Sequence, residues 1–186
     1  MAADTAARIM WRRVDSTGLE VCELTHGPDV HSLHGLVLLK SGRNLCTLEY
    51  WIDCNEGWET RKARIQGSVG SRDVDLRLTV DRRKRWFLDG KRQYQVDGCA
   101  DVDLGFSPST NLLPIRRLGL KPGERHEVTA CWVEFPSLAV KPLPQAYERT
   151  GRRTVHYESR GGRFQRDLEV ATNGMVITYP GLWEAC

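Results

Sequence analysis

Apolar and polar residues alternate with a period of two along most of this chain. Val74, Leu76, Leu78 and Val80 interleave with Asp73, Asp75, Arg77 and Thr79, the pattern of a strand with one face in water. Cys46, Leu48, Tyr50 and Ile52 interleave in the same way with Thr47, Glu49 and Trp51. After the turn at Pro122-Gly123, Val128, Ala130 and Trp132 repeat the pattern. There Cys131, Val133 and Phe135 make the second face apolar too, which predicts a strand buried on both sides. Glycine turns at Ser41-Gly42, Asp89-Gly90, Thr150-Gly151, Gly161-Gly162 and Asn173-Gly174 each separate two such runs. Asn-Gly and Asp-Gly suit two-residue hairpins, whose central residues need positive φ. No run longer than about ten residues shows a helical apolar face. One helical turn is predicted, over residues 107–113, with Ser107 as a cap, Pro108 in the first position and Pro114 as its stop. These patterns predict an all-β meander.

A chain of 186 residues fits one domain, 1–186. The run from Leu45 to Ile65 and the run from Phe164 to Tyr179 both read strand, turn, strand, and each follows an earlier hairpin. Two similar halves joined through residues 97–122 would place that joining segment where ligand clefts tend to form.

The joining segment is also the richest in candidate chemistry. From Asp97 to Leu118 it holds Asp101, Asp103, Asn111, Arg116 and Arg117, several hydroxyls and two prolines. Val102, Leu104 and Phe106 fall on one side of a strand, Asp101 and Asp103 on the other. Two carboxylates about 7 Å apart on one face suit glycosidic hydrolysis or a divalent cation, given a third polar group. They equally suit ion pairs with Arg116 and Arg117 that lock the junction. In an extended piece the two arginines point to opposite faces, so one can pair internally while the other meets a phosphate or carboxylate.

Those residues, with Met10-Trp11-Arg12-Arg13, Gly18-Leu19-Glu20, Asp53-Cys54-Asn55, Trp58-Glu59-Thr60-Arg61 and Tyr179-Pro180-Gly181-Leu182-Trp183, resemble the signature of a bacterial putative glycolipid-binding family, formerly a domain of unknown function. The resemblance spans nearly the whole chain. It implies a fold like that of bacterial lipoprotein and lipid carriers: a strongly curved antiparallel sheet forming a half-open barrel or β-roll. Such a barrel encloses a cavity that can take an acyl chain. At the chain's end, Leu182 and Trp183 read as a plug for the barrel.

Composition narrows the function classes. A net charge of +3 is too modest for a dedicated nucleic-acid binder. The run Arg82-Arg83-Lys84-Arg85 beside Trp86-Phe87 reads as a solvated hairpin tip, with peripheral contact to an anionic membrane or contact with nucleic acid as its functional alternatives. The start from Met1 to Ala7 is small and polar, with no apolar h-region, and no stretch approaches a membrane span. A cytoplasmic location is therefore expected. Six cysteines show no C-x-x-C spacing and read as free structural thiols, and His26, His31 and His34 match no zinc pattern. There is no P-loop, no dinucleotide fingerprint and no G-x-S-x-G elbow, so no cofactor and no metal are expected.

The expected function is non-covalent binding of a glycolipid or other amphiphile, its head group met by Asp101, Asp103, Asn111, Arg116 or Arg117. A hydrolase of glycosidic or ester bonds using the Asp101/Asp103 pair is the alternative. A scaffold with no small ligand, its interior filled by tryptophans, is the third reading.

Overall fold

Alternation and turn spacing resolve into strands β1 (Asp4–Arg13), β2 (Gly18–His26), β3 (Val30–Ser41), β4 (Asn44–Asn55), β5 (Thr60–Val69), β6 (Arg72–Val80), β7 (Trp86–Leu88) and β8 (Lys91–Arg92). The second series is β9 (Val102–Leu104), β10 (Arg125–Val133), β11 (Val140–Arg149), β12 (Thr154–Ser159), β13 (Phe164–Val170), β14 (Val176–Tyr179) and β15 (Trp183–Ala185). One helix, α1 (Leu112–Leu118), lies between β9 and β10. This computed structural model describes residues 4–186; Met1–Ala3, part of the small polar start, lie outside the described residues.

All strands belong to one curved sheet that is not closed into a barrel. Its order runs from β8 at one edge through β1 and β15 at the centre to β9 at the other edge. The chain therefore starts mid-sheet, works outward to β8, crosses inside the curve, and returns from β9 to the middle. There Trp11 lies opposite Ala185 and Arg13 opposite Trp183. Neighbours are antiparallel except β9 and β10, where Cys131 pairs in parallel with Val102. That parallel pair departs from the expected meander, because the crossing segment reaches the far edge from inside the curve. This segment, and not a strand ladder, ties the edge strand β9 to β5. The N–H of Thr60 donates to the carbonyl of Ala100, and the N–H of Val102 donates to Thr60 Oγ1 at 3.0 Å.

The inner face carries the core. In β4, Cys46, Leu48, Tyr50, Ile52 and Cys54 are all buried, as the alternation predicted. Inside the curve, Trp11, Trp86, Tyr50, Tyr147 and Phe106 are the largest fully buried side chains. Leu112 and Leu113 of α1 join the same cluster, so the space expected to take an acyl chain is occupied here by the protein's own crossing segment. All six cysteines are free thiols, five of them buried.

The helical segment differs from its expected bounds. A 3₁₀ turn covers Ser109–Asn111 and continues directly into α1. Pro114 does not stop it, because it sits in the first turn, where its missing N–H has no intrahelical partner to lose. Gly119, left-handed at φ 56, ends the helix instead. Arg116 and Arg117 are consequently helical, not extended.

Gly35 sets the path of one inner side chain. It pairs across strands with Tyr50, whose ring lies over it, so that a Cβ at residue 35 would sit 2.4 Å from the ring's Cζ and hydroxyl. Gly42, in the β3–β4 turn, has nothing near an added Cβ. Gly35→Ala is expected to lower stability in urea melts by about 2 kcal/mol or more, through overpacking, while Gly42→Ala costs about 1 kcal/mol from its positive φ alone. Equal effects of the two substitutions would contradict this packing.

Candidate functional site

The loops after β1, β3, β5, β10, β12 and β14 gather at one end of the sheet, and those after β2, β4, β6, β11 and β13 at the other. The 3₁₀ turn and α1 lie inside the curve between the two ends. They distribute the five residues singled out in the sequence among three different environments.

Asp101 and Arg117 form a closed pair. The guanidinium donates to both carboxylate oxygens, at 3.0 and 2.5 Å, and Asp101 is 1% exposed. Burial pushes the Asp101 carboxyl above its ordinary value, and the two charge-assisted bonds from Arg117 pull the other way. The pair ties the entry of β9 to α1, and neither partner is free to meet a ligand without breaking a buried bridge.

Asp103 and Asn111 both reach a cavity of about 190 Å³ at the first end of the sheet. Its walls include Trp132, Tyr157, Phe164, Tyr179 and Trp183, and its rim includes Arg160. Gln145 donates to Asp103 Oδ2 at 2.6 Å and bridges to the Tyr157 hydroxyl at 2.9 Å. Burial raises the Asp103 carboxyl to about 6, against the bond from Gln145. Asn111 Oδ1 accepts from the Tyr147 hydroxyl at 3.1 Å. Arg160 lays its guanidinium 5.5 Å over the Trp132 ring. Leu182 and Trp183, expected to plug the barrel, wall this cavity. Arg116 lies at the opposite end of the sheet, over Trp58.

Sequence reading placed Glu20 in the family signature but gave it no role at the site. It sits on the inner face of β2, fully buried, among residues whose alternation marks them as core. Its Oε1 accepts from the hydroxyls of Tyr50 and Ser107, both at 2.6 Å, while its Oε2 has no partner among the described residues. Ser107 and Ser109 share a further bond of 2.7 Å, and the N–H of Ser109 donates to Ser107 Oγ at 3.0 Å. Ser107 also lines the cavity, so this buried cluster forms part of its supporting wall. The signal available was a charged residue in phase with Cys22 and Leu24 on a core face.

Burial raises the Glu20 carboxyl from 4.5 to about 8, against the two hydroxyl bonds. Between those values the native protein holds a proton that the unfolded chain has released. Stability therefore falls as pH rises from about 4.5 to about 8 and levels off above. Asp103 adds a slope of the same sign up to about 6. From pH 6.5 to 8, denaturant melts should show stability falling by up to about 1.4 kcal/mol per pH unit, and Glu20→Gln should flatten that slope. A slope unchanged in the variant would mean that Glu20 is not the titrating group.

A solved structure of a DUF1089 family protein from Pseudomonas aeruginosa is similar to this chain with a TM-score of 0.81 and 33% sequence identity, over 92% of this chain and 94% of that one. No curated protein sequence matches. The model of the family described as "Putative glycolipid-binding" matches residues 8–185, nearly the full length described, and the chain belongs to that family.

Proposed function

We propose that this protein binds the polar head of a glycolipid or related amphiphile, without turning it over, in the cavity around Asp103. The observation that carries the reading is a carboxylate, only partly exposed, in a cavity walled by five aromatic rings. Sugars present hydroxyls around an apolar ring face. A carboxylate accepts two or more hydroxyl bonds, and aromatic faces cover the apolar side. Asn111 and Arg160 add polar contacts at the same cavity. The family's description points to the same ligand class.

The cavity's size sets what enters. About 190 Å³ is below the roughly 300–1,000 Å³ of pockets that enclose drug-sized ligands. One sugar ring suits it; an acyl chain does not. The chain would lie outside, beginning over Val14, which is 39% exposed and whose N–H donates to the carbonyl of Leu182 on the cavity wall. The Asp101–Arg117 bridge favours binding over hydrolysis, since it takes one of the two carboxylates out of acid–base work.

Isothermal titration with a short-chain glycolipid and with its deacylated head group tests the reading. Both should bind, the head group retaining most of the affinity. Asp103→Asn should weaken both at least about tenfold, the order expected for losing a charged hydrogen-bond acceptor, with a melting temperature no lower than that of the native protein, since the variant removes a buried charge. Binding that survives Asp103→Asn intact, or no binding of either ligand by the native protein, would sink this assignment.

A further inference from the structure

The outer face of the sheet changes character from strand to strand. Over β6 it carries Asp73, Asp75, Arg77 and Thr79, all exposed, as a face in water should. Over β2 and β3 the same face is apolar. Leu19 lies opposite Leu38, Val21 opposite Leu36, and Met10 of β1 opposite Val21. Leu45, near the start of β4, lies opposite Lys40, one row closer to the first end of the sheet. Leu45 is 74% exposed, Leu38 48% and Leu19 44%. With Lys40 these three leucines line a groove of about 290 Å³. Scattered surface hydrophobes need no explanation, but six exposed apolar side chains in adjacent rows mark an interaction surface.

The leucines reach the end of the sheet that holds the cavity. Val14, at the start of the β1–β2 turn, bonds through its N–H to the carbonyl of Leu182 on the cavity wall. Thr17 of the same turn accepts from the N–H of Lys40 at 2.9 Å. One series of contacts therefore runs from the cavity wall through this turn to the β3–β4 hairpin.

Charge decides what this surface meets. Lys40 and Arg43 of the β3–β4 hairpin are exposed, as are Arg160 at the cavity rim and Arg163 beyond it. Among the described residues no carboxylate ion-pairs with any of the four. The side-chain carboxylates nearby are taken: Asp15, Glu184 and Glu134 are held at 2.7 Å by Arg13, Arg12 and Lys141. Glu49, opposite Leu36, bonds His34. Asp73 stands beside Arg72, whose own guanidinium bonds the carbonyls of Pro136 and Ser137. Asp4 pairs with His26 at the far end of β2, about 25 Å of strand away from Leu19. An apolar patch with unpaired cations at its edge would set like charges against each other in a second copy of the chain. An anionic bilayer instead offers phosphates to the cations and an acyl boundary to the leucines. We propose that this end of the sheet docks on an anionic lipid bilayer, with Leu19, Leu38 and Leu45 entering the acyl boundary and Lys40 and Arg43 meeting lipid phosphates. Arg160 and Arg163 carry the cationic surface on to the cavity. Docking supplies the surface from which an amphiphile would be taken, but exposure and charge carry it, and it stands whether or not the cavity takes a sugar.

The test is co-sedimentation of the whole chain with vesicles of phosphatidylcholine, alone or mixed with phosphatidylglycerol. Neither contains glycolipid, so a failure of the sugar reading leaves the result untouched. The protein should bind the anionic vesicles, bind the neutral ones far less, and dissociate as salt rises. Lys40→Gln combined with Arg43→Gln should weaken binding at least about tenfold, from about fivefold for each basic residue near a charged surface. Leu38→Ser combined with Leu45→Ser should weaken it several-fold at unchanged charge. All four residues are exposed, so both variants should melt like the native protein. Lys121→Gln combined with Arg152→Gln removes the same charge from the opposite end of the sheet and should bind like the native protein. An equal loss in that variant would reduce the effect to net charge and overturn the proposal. So would equal binding to neutral vesicles, no binding to anionic vesicles at millimolar lipid, or undiminished binding in the leucine variant. A concentration-dependent dimer, lost in the leucine variant and indifferent to vesicles, would assign the patch to a second copy instead.

Discussion

A single buried carboxyl decides how the chain crosses the inside of its own sheet. Glu20 on β2 and Tyr50 on β4 are fixed by the sheet, while Ser107 and Ser109 belong to the crossing segment. Polar groups taken out of bulk water cost free energy unless they bond, so these four favour one another. The observed placement of the segment achieves that. The placement in turn puts Phe106, Leu112 and Leu113 into the core and leaves Asp103 and Asn111 facing the cavity. Among the described residues Glu20 itself is one partner short at Oε2, which a neutral acid tolerates far better than a carboxylate.

Much of the fold was legible because period-two alternation is a direct record of which face meets water. The β4 and β6 patterns read true residue by residue. That residues 97–122 lie between two series of strands was legible too, from the strand–turn–strand runs on either side of them. Two things were not. The alternation of Asp101 and Asp103 with Val102 and Leu104 suggests a wet face, yet Asp101, Val102 and Leu104 are all buried. A strand inside a curved sheet has no wet face, and sequence periodicity cannot distinguish the outside of a sheet from its enclosed edge. Pro114 was misleading for a related reason: a proline stops a helix only beyond its first turn, and the helix start was placed too early.

The candidate site was half legible. Residue types pointed to an acid and a base close enough in sequence to neutralise each other, and Asp101 and Arg117 do so. Pairing Asp101 with Arg117, and not with Arg116, depends on the helical twist of the arginine pair and therefore on the very element whose bounds were missed. The aromatic walls come from β10, β12, β13, β14 and β15, far apart in the chain, and each reads in isolation as ordinary core. Leu19, Leu38 and Leu45 stand apart in the chain, and only the register of β2, β3 and β4 makes them neighbours on one face.

The pairing of β1 with β15 has a consequence for how the molecule is made. A chain emerging from the ribosome forms β1 to β8 by local hairpins, each strand meeting one already present. The outer edge of β1 cannot do so. Its backbone donors and acceptors wait for Trp183–Ala185, nearly the whole length of the chain later. Until then Trp11 also lacks the Val176 carbonyl that its indole N–H bonds at 2.7 Å. The half-made protein therefore carries an open, adhesive strand edge through most of its synthesis, the kind of edge that recruits wrong partners. The last three paired residues are the stitch that removes it.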